Sequence, residues 1–393
     1  MDSKSRTRGN ASRSLSKLEL RLKKKLHKHL VALGFQTDST ARGDPKVIYD
    51  KDGIRLRHSL HREQWLKESA NFLERNLLRL LRYFASGNEI VPQKIAPRIE
   101  MVTSGTREAE LFRLACLTWS VPVSEGYGRR MRFLVWDDSN GKLIGLIALG
   151  DPVFNLQVRD RLIGWSADDR KARLVHIMDA YVLGALPPYN LLLGGKLVAC
   201  LVRTREVRDM FGKRYNRSTG IISGESKRPR LVMVTTTSAL GRSSLYNRLR
   251  LGGEDYFQSI GYTSGFGHFH VPNPLFEEMR EYLRLRKHSY FDGNRFGNGP
   301  NWKFRAIRAA LELMGVKRDL LHHGIQREVF MCHLAENCID FLRGEMKRPD
   351  YNGLLSVSEV GALSLERWIC PRALRRPDYV NWKRDNLVRL LAL

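Results

Sequence analysis

Acidic residues are the scarce component of this chain. Among its 393 residues, 41 Asp and Glu stand against 67 Lys and Arg, which leaves a formal charge of +26. A soluble protein this basic commonly has a polyanionic partner, nucleic acid first among them, and the plain alternative is a merely basic surface. Cysteine is also sparse. The five residues (Cys116, Cys200, Cys332, Cys338, Cys370) are scattered and odd in number, which fits reduced thiols in a cytosol and not a disulfide framework. Cys332, His333 and Cys338, with His322 and His323 upstream, come nearest to a metal-ligand set. Without a CxxC pair, and in a stretch read as helical, they fit buried thiols and surface histidines better than zinc. Long apolar runs are missing too. The longest uncharged stretch, Ala180 to Gly195, is interrupted by Pro187 and Pro188 and is shorter than the roughly 20 residues a bilayer needs. Neither a spanning helix nor a membrane partner is expected. The basic N-terminus has no apolar stretch or small-residue cleavage site behind it, so a cytoplasmic protein without a secretory signal is expected.

The familiar phosphate loops are absent as well. In "NLLLGGKL" a Walker loop would need glycine where Asn190 stands and Ser or Thr where Leu197 stands. "GFGHFH" begins like a dinucleotide fingerprint but has no third glycine and no helix after it. Nothing in the chain matches a kinase, a serine-hydrolase elbow or a zinc protease.

What is present is a globular composition, 42% hydrophobic and 27% charged, long enough for two or three domains. Residues 1–30 carry ten Lys or Arg against two acids. From Leu15 the apolar positions Leu18, Leu22, Leu26, Leu30 and Leu33 recur at helical spacing, while "KKKLHKH" puts Lys23, Lys24 and Lys25 on the outer face. That face either contacts phosphate or is simply solvated. "KVIYDKDGIRLRH" reads as a hairpin about Asp52-Gly53, and "HREQWLKESANFLERNLLRLLRYFAS" as one long helix ending near Gly87. "NEIVPQKIAPRIEMV", with two prolines and little periodicity, marks a domain boundary.

The middle of the chain reads as two strands joined at Asn140-Gly141, a third strand ended by Pro187-Pro188, a helix from Gly194, a β-branched strand "VMVTTT", a short helix "RSSLYNRLRL" and glycine-broken strands. From Asn273 the pattern reads as helical, "IQREVFMCHLAENCIDFLRG" included. Three regions follow: a basic helical N-terminal region over 1–95, an α/β domain over 96–285 built on a mixed sheet, and a helical C-terminal region over 286–393.

The segment Leu193, Gly194, Gly195, Lys196 poses the main chemical question. Unpaired amides at a helix start carry the positive end of the macrodipole, and glycine lets an anion approach the backbone. Equally, the glycines serve tight helix–sheet packing. A strand with a break, a glycine turn and a helix resemble the cofactor segment of the GNAT acyltransferase superfamily, where the turn holds the pyrophosphate of an acyl-coenzyme A. The resemblance implies a GNAT-like core, acyl-CoA as cofactor, and Tyr246 in "SSLYNRLRL" as proton donor to the departing thiolate. Asp179, Glu225 and Glu254 are the candidate bases, and the sequence does not choose among them. Leu191, Leu192 and Leu193 depart from the polar residues usual before those glycines.

A second resemblance covers roughly residues 105–285. The strand Ile144 to Gly150, the segment Arg159 to Trp165 ("RDRLIGW"), the Tyr246-Asn247 box and the turn Gly261 to Gly265 resemble the DruA-type proteins of the Druantia anti-phage system. This implies bacterial or phage origin and a role in defence or mobile-element biology, with protein partners such as a helicase; it does not reveal a reaction. Arg161 and Trp165 would bind a phosphate or stack on a base, or else form a salt bridge and a core tryptophan. Residues 201–250 hold twelve Lys or Arg against three acids. There Lys213, Arg214, Arg217, Lys227 and Arg228 suit a groove that tracks a nucleic-acid backbone, DNA in the first instance. Two functions therefore stand: a DNA-associated, acyltransferase-like enzyme, and a non-catalytic nucleic-acid-binding subunit that recruits a partner.

Overall fold

The computed structural model describes residues 3–32, 51–121, 123, 128–219, 224, 226–239, 241–265, 271–292, 300–316 and 326–391. The chain divides into two compact units, residues 1–50 with 264–326 and residues 51–263 with 327–393. These cut across the expected limits at 95 and 285. The basic N-terminal helix makes one unit with the helices that follow residue 264, and the last segment of the chain belongs to the sheet unit.

The larger unit is a mixed α/β layer on a seven-stranded sheet. Its strands are β1 (Pro97–Met101), β2 (Arg130–Asp137), β3 (Lys142–Gly150), β4 (Ile177–Ala185), β5 (Met233–Thr237), β6 (Gln258–Tyr262) and β7 (Glu328–His333). They lie in the order β1-β2-β3-β4-β5-β7-β6, and every neighbouring pair is antiparallel except β4 with β5. Both faces of the sheet are covered. On β2, Met131, Phe133 and Val135 enter one core with Leu197, Val198 and Phe330. Leu134 and Trp136 enter the other with Leu111, Leu114 and Leu146. Two-sided burial is why these strands read as continuous apolar runs. The hairpin at Asn140-Gly141 is as expected, with Gly141 at φ 68°. A parallel pair cannot be joined by a tight turn, and the helices Gly194–Leu201 and Arg205–Tyr215 carry the crossover.

Several local readings are corrected. Asp52 and Gly53 lie in the helix Lys51–Glu68, not a hairpin, and the long helix is two, the second being Ala70–Leu81. The proposed boundary at "APRIEMV" is β1, an edge strand whose proline occupies its first position. "RSSLYNRLRL" contains one 3₁₀ turn, Tyr246–Arg248. "EVFMCH" is not helical but β7, between β5 and β6. Its apolar run is four residues, Val329 to Cys332, all buried, and has no period with which to distinguish strand from helix.

In the smaller unit, Leu22 and Leu26 of the helix Ser3–Ala32 pack with Phe276, Met279 and Leu283 of the helix Asn273–Leu285 and Ile307 of Pro300–Leu313. Leu15, Leu18, Leu22 and Leu26 of the expected leucine stripe make this seam, and Leu33 lies outside the described residues. The Tyr282 hydroxyl donates to Glu19 at 2.9 Å, and Arg286 reaches the same carboxylate at 2.9 Å. No helix among the described residues is long and apolar enough to cross a membrane.

Candidate functional site

Strands β4 and β5 pair only over Ile177–Asp179 and Met233–Thr235, after which β4 continues against β3 and β5 against β7. The parting has a local cause. Opposite β3, Ala148 pairs with Val182 but Leu149 with Ala180, so Tyr181 is an extra residue in β4. Such a bulge bends its strand and raises its twist. At the fork the Thr235 hydroxyl donates to Asp179 at 2.7 Å, and the Thr236 hydroxyl to the Ala180 carbonyl at 2.8 Å.

Two of the expected catalytic residues come near each other here, Asp179 through Thr235 and Tyr246 through Thr236. Asp179 is half-buried; desolvation lifts its carboxyl to about 6, opposed by the Thr235 hydroxyl and by Arg159. Tyr246 is buried against Phe257 and Phe330, with ring centroids 4.8 and 5.2 Å away. Burial pushes its phenol up to about 12, the Thr236 hydroxyl opposing and Asp179 adding to the shift. The pair thus offers a carboxylate ionised at neutral pH and a hydroxyl that keeps its proton. Glu225 lies outside the described residues. Glu254 stands apart on a short exposed strand, 3.8 Å from Arg203.

At the far end of β4 the chain enters the helix Gly194–Leu201 through Leu193, which holds a left-handed φ of 61°. A Cβ on Gly194 would stand 2.7 Å from the Tyr189 carbonyl oxygen, whereas one on Gly195 would meet only Leu245, at 3.9 Å. The first glycine is therefore demanded by packing and the second is not. Lys196 is half-buried with its amine 5.2 Å from the Trp368 ring centroid, and burial together with Arg367 lowers its pKa.

Seven cations of the larger unit lie toward the opposite end of β4, where its strand begins. The Tyr215 hydroxyl accepts from the Arg130 amide and donates to the Arg130 carbonyl, both at 2.9 Å. Lys227 donates to the Lys171 carbonyl at 2.6 Å, and the Arg230 amide to His176 Nδ1 at 3.0 Å. These contacts bring Arg130, Lys213, Arg214, Arg217, Lys227, Arg228 and Arg230 onto one surface. All but the half-buried Lys227 are exposed. None forms an ion pair among the described residues, whereas Lys171, Arg205 and Arg208 are each paired with an acid. Arg130 and Arg230 were not singled out from the sequence, because each stands at the start of an apolar strand beside other cations, Arg129 and Arg132 or Arg228. Tyr215 is a hydrogen-bonded strut beneath this surface, its ring under the guanidinium groups of Arg129 and Arg214 at 5.7 and 5.8 Å.

Next to this surface, Asn155, Gln157, Asp160, Arg161, Trp165 and Arg170 line a hollow of about 390 Å³. Beneath it Arg159 is wholly buried, donating to Asp160 at 2.6 and 2.8 Å and to the carbonyls of Val153 and Phe154. Burial lowers the pKa of Arg159, and Asp160 opposes the shift. Trp165 is not the open stacking platform that the sequence allowed. It is buried, and its Nε1 donates to the Leu342 carbonyl at 2.7 Å. Arg161 is exposed, as a ligand-binding cation requires.

The motif "RDRLIGW" therefore makes a buried ion pair, a core tryptophan and one side of a hollow, and this accounts for its residues together. A family model described as Druantia protein DruA matches residues 48–344. The chain belongs to the DruA family. It is 54% identical over 370 residues to the Druantia protein DruA of Escherichia coli (strain UMEA 4076-1), a match covering 94% of this chain and 91% of that protein. No solved structure gives a significant match. The matched span of the DruA-family model includes the fork, the hollow and the basic surface.

The cations of the N-terminal helix belong to the other unit, and two of the three are already engaged there. Lys23 pairs with Glu19 at 2.9 Å and Lys25 with Glu278 at 2.5 Å, and Lys24 is exposed. Cys116, Cys200, Cys332 and Cys338 are buried. Desolvation pushes all four thiols upward, Cys332 to about 12.

Proposed function

We propose that this DruA-family protein serves anti-phage defence by binding DNA, held through its phosphates on the surface formed by Arg130, Lys213, Arg214, Arg217, Lys227, Arg228 and Arg230. The observation that carries the reading is that these cations, drawn from several separate elements, share one surface without acidic partners among the described residues. Cations that stabilise a fold are usually paired, and a row of unpaired ones repels itself until an anion arrives. Fluorescence anisotropy of a labelled duplex at rising salt tests it. The expected log–log slope is near −0.9 per phosphate contact. The triple variant K213E/R214E/R217E is expected to lose at least tenfold in affinity at low salt. A flat salt response, or unchanged affinity in that variant, removes the reading.

A second reading, GNAT-like acyl transfer, is supported by the fork and the helix start. Asp179 is the base and Tyr246 the proton donor, and Lys196 with Arg367 supplies the positive charge that a pyrophosphate needs beside Gly195. Acyl-coenzyme A would supply the activated acyl group. The residues fit in charge, although Leu191 and Leu193 give the loop no polar side chain. Calorimetric titration with acetyl-coenzyme A tests this. Heat that is lost in Gly195→Glu is expected, and no heat with the wild-type protein ends it.

A further inference from the structure

We propose that the hollow beside Trp165 holds one nucleoside phosphate, its phosphate on Arg161 and Arg170 and its base edge on Asn155 and Gln157. The proposal rests on the nucleic-acid reading of the adjoining surface and deepens it by giving that surface an end point.

Arg170 lines the hollow with its guanidinium only partly engaged. Its Nη1 donates to Asp160 at 3.3 Å, but its Nε is buried without an acceptor among the described residues, and its Nη2 makes no hydrogen bond there either. A guanidinium with an unused Nη2 and a neighbouring exposed Arg161 can each give a charge-assisted hydrogen bond to a phosphate oxygen. The guanidinium lies 5.4 Å from the Phe154 ring centroid, and Nη2 is the donor it has left for an oxygen in the hollow. Arg161, on the same hollow, is exposed and forms no ion pair among the described residues.

The one carboxylate in the lining does not oppose an anion. Asp160 is flanked by the guanidinium groups of Arg159 and Arg170. It also accepts from the Leu156 amide at 3.2 Å. Three guanidinium groups against one carboxylate leave the hollow positive. Of the other nearby acids, Asp169 caps its own helix through Ser166 and Asp168 pairs with Lys171 at 2.8 Å. The exposed amides Asn155 and Gln157 supply both donors and acceptors, as base-edge recognition requires. A volume of about 390 Å³ suits a single nucleotide and not a folded partner. Lys171, the neighbour of Arg170 on the helix Ala167–Arg173, touches Lys227 of the basic surface, so a strand tracking that surface reaches the hollow directly.

The nucleotide can arrive free or as the end of a strand, and the experiment separates the two. Titration calorimetry with the full chain uses deoxyadenosine monophosphate, deoxyadenosine and inorganic phosphate. Binding of the monophosphate at least tenfold tighter than either fragment is expected, and Arg161→Ala, an exposed change, is expected to remove at least tenfold of it. Anisotropy then compares an open duplex with one closed by hairpins at both ends. Tighter binding of the open duplex assigns the hollow to strand ends; equal binding assigns it to a free nucleotide. Either result upholds the hollow. DNA binding that persists while the monophosphate gives no heat, or binds Arg161→Ala equally, overturns this inference alone. Loss of all DNA binding overturns the nucleic-acid reading and this inference with it.

Discussion

Asp179 and His176 stand three positions apart and are shifted in opposite directions. Burial lifts Asp179 from 3.8 to about 6 and lowers His176 from 6.5 to about 4, with Arg173, Arg129 and Arg230 adding to the second shift and the Arg230 amide opposing it. Between about pH 4 and 6 the folded state holds the Asp179 proton more tightly than the unfolded chain, so that group makes stability fall as pH rises. Over nearly the same window the unfolded chain binds the His176 proton more tightly, so the histidine makes stability rise with pH. Each shift is worth on the order of 3 kcal/mol, and together they nearly cancel. Urea unfolding at pH 4.5 and 7 is therefore expected to show Asp179→Asn gaining stability with pH relative to wild type and His176→Asn losing it. Two variants that move in the same direction would refute the assignment. At this scale the sequence offered Asp179 and Tyr246 as separate candidates, and only the pairing of β4 with β5 brings them together. Arg170 was not legible, because "ADDRKAR" reads as an ordinary solvated helix and nothing in it announces a buried Nε.

At the scale of elements, the two glycines after Leu193 separate cleanly. Gly194→Ala drives a Cβ against the Tyr189 carbonyl at 2.7 Å and is expected to cost about 1–3 kcal/mol, since backbone cannot yield as a side chain can. Gly195→Ala has room and is expected to stay within about 1 kcal/mol of wild type. Thermal unfolding of the two variants checks this, and equal losses would mean that the turn is not packed as described. Amphipathic helices and the β2–β3 hairpin were legible because period and turn chemistry are local. β7 was not, because five of its six residues are buried and its partners are 66 and more positions distant in sequence. The crossover helix was read as one piece, but it breaks between Leu201 and Arg205.

For the whole molecule, charge is the property most directly inherited from composition. An excess of 26 positive charges had to lie on the exterior, but its arrangement did not follow from its size. Many arginines are spent in ion pairs such as Arg79–Glu110, Arg98–Asp138 and Arg384–Glu89. Lys25 ties the N-terminal helix to Glu278 of its own unit, and Lys23 pairs with Glu19 one turn back on the same helix, so neither faces outward unpaired. The division into units was also beyond the sequence. The chain leaves the sheet unit after Thr263 and rejoins it at Arg327, and an excursion of this kind leaves no mark in local composition. By itself the sequence determined the basic character, the leucine seam, the central hairpin and the kinship with DruA-type proteins, because each is written in neighbouring residues. Tertiary structure alone decided which cations stand together unpaired, which carboxylate comes near Tyr246 and which glycine is indispensable, because each depends on contacts between segments far apart along the chain.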